Sequence, residues 1–174
     1  FYYNPRVDLE LLREYHEGLI ALSACLAGEV ARFLNRGMYP DAKKAALRYQ
    51  EIFGEGNFFL ELQDHGIAEQ QLVNQGLLRM SREQGHNDIH YTYKEDADPH
   101  DILLCLQTGK KLSDTDRMRY EGGQYYVKSE REMAALFPYA LEALENTHKI
   151  AQRCHVEIEF GVTKLPRFDV PEGY

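Results

Sequence analysis

Four side chains in this sequence carry chemistry at places where extended segments would end. They are Cys25 in LIALSAC, His65 in ELQDHG, and Asp88 with His90 in NDIHY. A thiol, two imidazoles and a carboxylate make a sensible ligand set for a borderline-soft ion such as zinc. Asp88 and His90 stand at i and i+2, so on an extended backbone both point to one face. A metal would also offset the cost of burying the Asp88 charge. If two ions are bound, carboxylates bridge them, and the cluster activates water and holds a phosphate for in-line displacement. Glu61, Asp64 and His100 are candidates to support these ligands from behind. Each residue also has a plainer reading. Cys25 serves as a small buried hydrophobe, His65 as a hydrogen-bonded turn residue, and Asp88 as the start of an Asx turn. His90 then is a partly buried sheet histidine, Glu61 a paired or solvated strand residue, and His100 with Asp101 the decoration of a helix start. None of the spacings forms a CxxC or HExxH signature.

The elements that must position these side chains follow from period and punctuation. Asp8 is placed to cap a helix over 9–17 that Gly18 ends. LIALSAC at 19–25 reads as a strand, and 26–37 returns to helical period. Pro40 suits the first turn of a helix over 41–53, and GEGN at 54–57 is a turn. FFLELQ at 58–63 reads as a buried strand whose carboxyl end carries His65, the end where open α/β sheets and barrels place their chemistry. A helix over 67–85 follows, with Leu72, Leu77 and Met80 inward and Gly76 as a weak spot worth about 1 kcal/mol relative to Ala if exposed. Only Ile89 is apolar before Tyr91, so the strand through 87–91 is minimal. Strand, two helices, strand, helix, strand favours an α/β class with parallel pairing.

Beyond Tyr91 the spacing predicts a helix over 96–108, a polar loop over 113–124, and a short extended segment over 125–127. A helix capped by Ser129 with Glu132 at the third position comes next. Another helix covers 140–154, and VEIEFG at 156–161 alternates as an edge strand would. A soft boundary falls near 110–124.

The 174 residues suffice for one well-buried core, and an apolar fraction of 44% with 28% charged residues is ordinary. The net charge of −8 argues against a freestanding non-specific nucleic-acid binder. Three separated cysteines do not form a disulfide framework and fit a reducing compartment. With no spanning apolar run and no signal peptide, a soluble, cytoplasmic protein is expected. The chain starts at FYYNPRVD without Met and stops after PRFDVPEGY, so a piece of a longer polypeptide is expected.

LREYHEGLIALSACLAGEV, NFFLELQDHG, NDIHY, HDILLCLQTGKK and YYVKSEREM, in that order, closely resemble the bacterial replicative DNA polymerases of the C family (DnaE type). The resemblance covers essentially the whole chain. It points to the polymerase-and-histidinol-phosphatase (PHP) domain of such an enzyme and implies an α/β fold. That fold would be a partial distorted (β/α)7 barrel over 1–112, followed over 113–174 by the end of the domain and a mostly helical linker toward the palm. By resemblance, Cys25, His65, Asp88 and His90 match the family's metal ligands, for zinc or manganese. The parent would be a magnesium-dependent DNA-directed DNA polymerase. Its implied partners are DNA, a sliding clamp and a proofreading subunit, with no membrane. Family members with an intact cluster are similar to phosphoesterases and support 3′–5′ exonuclease action. In others the domain is an inactive scaffold that stabilises the polymerase and docks partners. Two departures stand out. The family's earlier HxH and DH ligand motifs are absent, and so is the short apolar segment that normally runs into NDxHY. The palm's catalytic carboxylates are absent as well.

Overall fold

The computed structural model describes residues 6–80 and 89–162. The first helix, α1 (Leu9–Glu14), starts where the Asp8 carboxylate accepts the amides of Glu10 and Leu11 at 3.1 and 3.0 Å. The expected strand at 19–25 narrows to β1 (Ala21–Leu22). The helix expected from 26 begins later, as α2 (Glu29–Asn35), because Cys25–Gly28 forms a turn in which the Gly28 amide reaches the Cys25 carbonyl at 2.8 Å. A Cβ on Gly28 would stand 2.3 Å from the Ser23 carbonyl oxygen, so only glycine allows this return. The long helix α3 (Tyr39–Phe53) carries Pro40 in its first turn, as the sequence requires, and leads to β2 (Phe58–Phe59).

β1 and β2 pair in parallel, with Ala21 opposite Phe58 and Leu22 opposite Phe59. A parallel pair needs a crossover, and α2 and α3 supply it. They are joined by Arg48 and Tyr49 of α3, which donate to the Glu29 carboxylate at 2.5 and 2.9 Å. The described architecture is thus mixed α/β, mostly helical, with one small parallel sheet. A second short parallel contact, Tyr91 against Tyr126, ties the segment after 88 to the expected extended piece at 125–127.

The helix α4 (Ala68–Met80) corrects the sequence reading at two points. Its inward residues are Gln70, Val73, Asn74 and Leu77, whereas Leu72 is 52% exposed. Gly76 is a packing position rather than a weak spot: a Cβ there would lie 2.7 Å from Leu34 Cδ2 on α2. The close approach builds the core of Val30, Ala31, Leu34, Ala42, Ala45, Leu62, Val73 and Leu77, which Phe137 completes from the second half of the chain. The last five residues of the helix expected over 67–85 lie outside the described residues.

In the second half, α5 (Ala97–Thr108) ends at Gly109 in the left-handed conformation. The helix α6 (Glu130–Leu136) has the expected reciprocal cap between Ser129 and Glu132, and α7 (Leu141–Arg153) follows. The alternating segment at 156–161 is not a strand. No strand is assigned to it, and Phe160 is 87% exposed. Alternation prepares one apolar face, but a strand also needs a neighbouring edge to complete its backbone hydrogen bonds.

Candidate metal centre and its histidine–tyrosine cluster

The segment 60–66 is held by side chains that read its backbone. Ser23 Oγ accepts the Glu61 amide at 2.9 Å, fixing the segment beside β1. Asn74 on α4 brackets Gln63, donating to its carbonyl at 2.9 Å and accepting its amide at 3.3 Å. Asp64 shapes the turn, accepting from the Gly66 amide at 3.0 Å and from Gln71 at 2.7 Å. Gly66 turns with a φ of 80°, in the left-handed region that glycine tolerates. Two candidates for supporting roles, Glu61 and Asp64, are therefore tied into the architecture of the strand end.

His65 is buried, with 3% of its surface exposed. Gln70 holds it twice: Oε1 accepts the His65 backbone amide at 2.8 Å, and Nε2 lies 2.8 Å from ring Nδ1. A backbone N–H can only donate, so the amide group of Gln70 has one orientation, with its nitrogen donating to Nδ1. The other face of the ring stacks on Tyr125, with centroids 4.1 Å apart and planes 8° from parallel.

Tyr125 joins the two halves of the site. Its carbonyl accepts the His90 amide at 2.9 Å, which sets the backbone of 89–91 against 125–127. His90 then packs on Tyr120 at 4.2 Å and approaches His100 and Tyr125, both at 5.7 Å. His100, in the first turn of α5, also meets Tyr91 at 5.3 Å and Tyr120 at 5.2 Å. The loop bearing Tyr120 is pinned by Arg117, whose guanidinium forks onto Asp101 at 2.5 and 2.6 Å with its side chain only 1% exposed. Arg117 holds the Asp101 carboxyl below its ordinary range. Lys128 lies over the Tyr126 ring at 4.1 Å; burial pushes its ammonium down, opposed by the charges of Glu132 and Asp64.

The structure therefore brings His65, His90 and His100 into one ring cluster. Cys25 remains a half-buried free thiol in the turn between β1 and α2. Asp88 lies outside the described residues. Among the described residues, no three His, Cys, Asp or Glu side chains converge as a metal-binding set. The donor chemistry of His65 and His90 suits a borderline-soft divalent ion. Nδ1 of His65, however, is occupied by Gln70. Sequence reasoning missed Gln70, Asn74, Tyr120, Tyr125 and Arg117. For the first two a signal existed: Gln70, Val73, Asn74 and Leu77 form an i, i+3, i+4, i+7 stripe, which an assumption of apolar inward residues hides.

Residues 1–65 match the PHP domain family, a match that ends on His65 itself. The matched stretch is similar to a PHP domain and runs through Cys25 to the first histidine of the cluster. Along nearly its whole length the chain is similar to the DNA polymerase III alpha subunits of bacteria. It is 44% identical to that subunit of Borreliella burgdorferi over 98% of this chain and 15% of the relative. Identity to the Campylobacter jejuni subunit is 41%, over 99% of this chain and 16% of the relative. For the Thermus aquaticus subunit it is again 41%, over 99% and 15%. The chain thus spans about one-sixth of the length of these curated relatives. The alignment to the Helicobacter pylori subunit runs over 194 residues against 174 here, so that relative carries stretches with no counterpart in this chain.

Proposed function

We propose that this chain is the PHP-domain portion of a bacterial replicative DNA polymerase alpha subunit, a DNA-directed DNA polymerase of the cytoplasm. The observation that carries this reading is the identity of 41–44% over 98–99% of the chain, which extends past the PHP match into the second half. On this reading residues 1–112 are the later part of a PHP barrel, and 113–174 close the domain and lead toward the palm. The parent would transfer nucleotides with magnesium and work with DNA, a sliding clamp and a proofreading subunit. No helix among the described residues is long and apolar enough to cross a membrane. Primer extension by the complete polypeptide that contains this chain tests the reading. Incorporation of deoxynucleotides on a primed template is expected, and a purified, folded polypeptide without such activity overturns it.

At the PHP site, Cys25, His65, Asp88 and His90 would hold zinc or manganese. The convergence of His65 and His90 on Tyr125 supports this. A bound ion of this kind supplies a Lewis acid and a water of lowered pKa for attack on a phosphodiester, consistent with a 3′–5′ exonuclease. The chain's own residues position the imidazoles through Gln70 and the Tyr125 backbone and cover them with Tyr120 and Tyr125. Metal analysis of the complete polypeptide is the test. Stoichiometric zinc or manganese is expected, lost when His65→Ala and Asp88→Ala are combined; a metal-free wild type sinks the metal reading. A second reading, an inactive scaffold, is favoured by the locking of His65 between Gln70 and Tyr125. It predicts normal primer extension with no metal and no release of nucleotides from a 3′ end.

A further inference from the structure

The hydrogen bonds behind His65 have a direction, and it begins at Glu61. An ionised carboxylate only accepts, so Gln63 must turn its Nε2 toward Glu61, which it does at 2.6 Å. That leaves Gln63 Oε1 facing Gln70, whose Nε2 approaches it at 3.4 Å, the longest link. Gln70 Oε1 faces the His65 amide and its Nε2 faces ring Nδ1, both at 2.8 Å. Gln63, His65 and Gln70 are all buried, so water is a poor substitute partner for these groups.

We propose that Glu61, Gln63 and Gln70 form a relay of positioning residues that fixes His65 as its Nε2–H tautomer. A cation at Nε2 then requires the Gln70 amide to turn over. Turning it sets its nitrogen against the His65 N–H, donor to donor, and its oxygen against Gln63 Oε1, acceptor to acceptor. Reversing the relay therefore costs hydrogen bonds at two points, each of which leaves a buried polar group unmatched. With the relay as it stands, Nε2 offers a proton to an oxygen rather than a lone pair to an ion. Replacing Gln70 by Glu removes the donor–donor conflict and leaves only an acceptor facing Gln63 Oε1, at the longest link of the relay. A carboxylate accepts from both the His65 N–H and an Nδ1–H, which frees the Nε2 lone pair and is the carboxylate–histidine arrangement that supports metal ligation.

The inference rests on the metal reading of the same site and adds a condition to it, that His65 ligates only once the Gln70 amide has turned over; its first readout needs no metal. In the metal-free 174-residue chain with 15N-labelled histidine, long-range 1H–15N correlation spectra are expected to show His65 with a protonated Nε2 and a pyridine-type Nδ1. The Nδ1–H tautomer in the wild type overturns the proposal outright. Gln70→Met, which removes both bonds, is expected to give mixed tautomers; an unchanged single Nε2–H form overturns the relay. Gln70→Glu is expected to move the proton to Nδ1 and tighten binding of zinc alone by roughly 10-fold or more. A Gln70→Glu chain that keeps the Nε2–H form also overturns it. If no variant binds zinc while the tautomers follow expectation, the metal reading fails and the relay stands.

Discussion

The first half of the chain and the histidine–tyrosine cluster are held together by different physics. Between α2, α3 and α4 the contacts are apolar and close, set by Gly76 against Leu34 and by small residues such as Ala42 and Ala45. Such a core is non-directional, and it tolerates neighbours that fit by volume. Around Tyr125 the contacts are ring faces and edges, backbone amides and a buried fork between Arg117 and Asp101. These are directional, so they specify orientation more than they add stability. The chemistry-bearing imidazoles all lie in the second region and lean on the first through α4. A rigid apolar block thus carries a polar array whose geometry has to be exact to within a hydrogen bond.

That contrast is open to measurement. The largest expected effect is in the apolar region. Phe137 is fully buried among α2–α4, and Phe137→Ala is expected to lower stability by about 3–5 kcal/mol in urea unfolding. Gly28→Ala comes next, because its Cβ meets backbone rather than a yielding side chain. A loss of about 2 kcal/mol is expected, within the range for forced overpacking, and a thermal midpoint equal to wild type would refute the proposed tight return. Tyr120→Ala, which deletes ring contacts to His90, His100 and Tyr125, is expected to cost about 1–2 kcal/mol. Its more telling readout is the loss of ring-current shifts at His90 and His100 with the core's amide spectrum unchanged.

Gly76→Ala is a finer test. Helix propensity alone favours the substitution by about 1 kcal/mol, yet the clash with Leu34 opposes it by about 1–3 kcal/mol. A net loss of roughly 1 kcal/mol is expected, and a gain would mean that α4 does not pack on α2 as described. The smallest effect is electrostatic. The Glu132 carboxyl is lowered to about 2 from 4.5 by its hydrogen bonds to Ser129 and Tyr126. Its folded-state value lies below the unfolded one, so the stabilisation is complete above 4.5 and fades as pH falls from there through about 2. Amide exchange in the first turn of α6 is expected to rise over that window, while the α2–α4 core stays protected.

Much of the local structure was legible in the chain. Asp8, Pro40 and the Ser129–Glu132 pair act on neighbours within one turn, so their consequences need no distant partner. The alternation of VEIEFG was equally visible but misleading, since strand formation depends on an edge that the described residues do not offer it. Leu72 misled for a related reason. Which stripe of α4 faces inward is decided by what it packs against, and the buried backbone of 63–65 demands polar partners from Gln70 and Asn74.

The sequence by itself determined the helix starts at Asp8, Pro40 and Ser129, the crossover pattern and the similarity to the alpha subunits, because these rest on short-range signals and on residue identity in order. It also marked His65 and His90 as chemically notable. Only the tertiary structure decided that they share Tyr125, that His100 joins them, and that Gln70 holds His65 at both its amide and its ring. Those outcomes depend on the direction of hydrogen bonds and on ring contacts between segments up to sixty residues apart, as for His65 and Tyr125. Spacing along a chain does not encode such relations; the closing of the fold does.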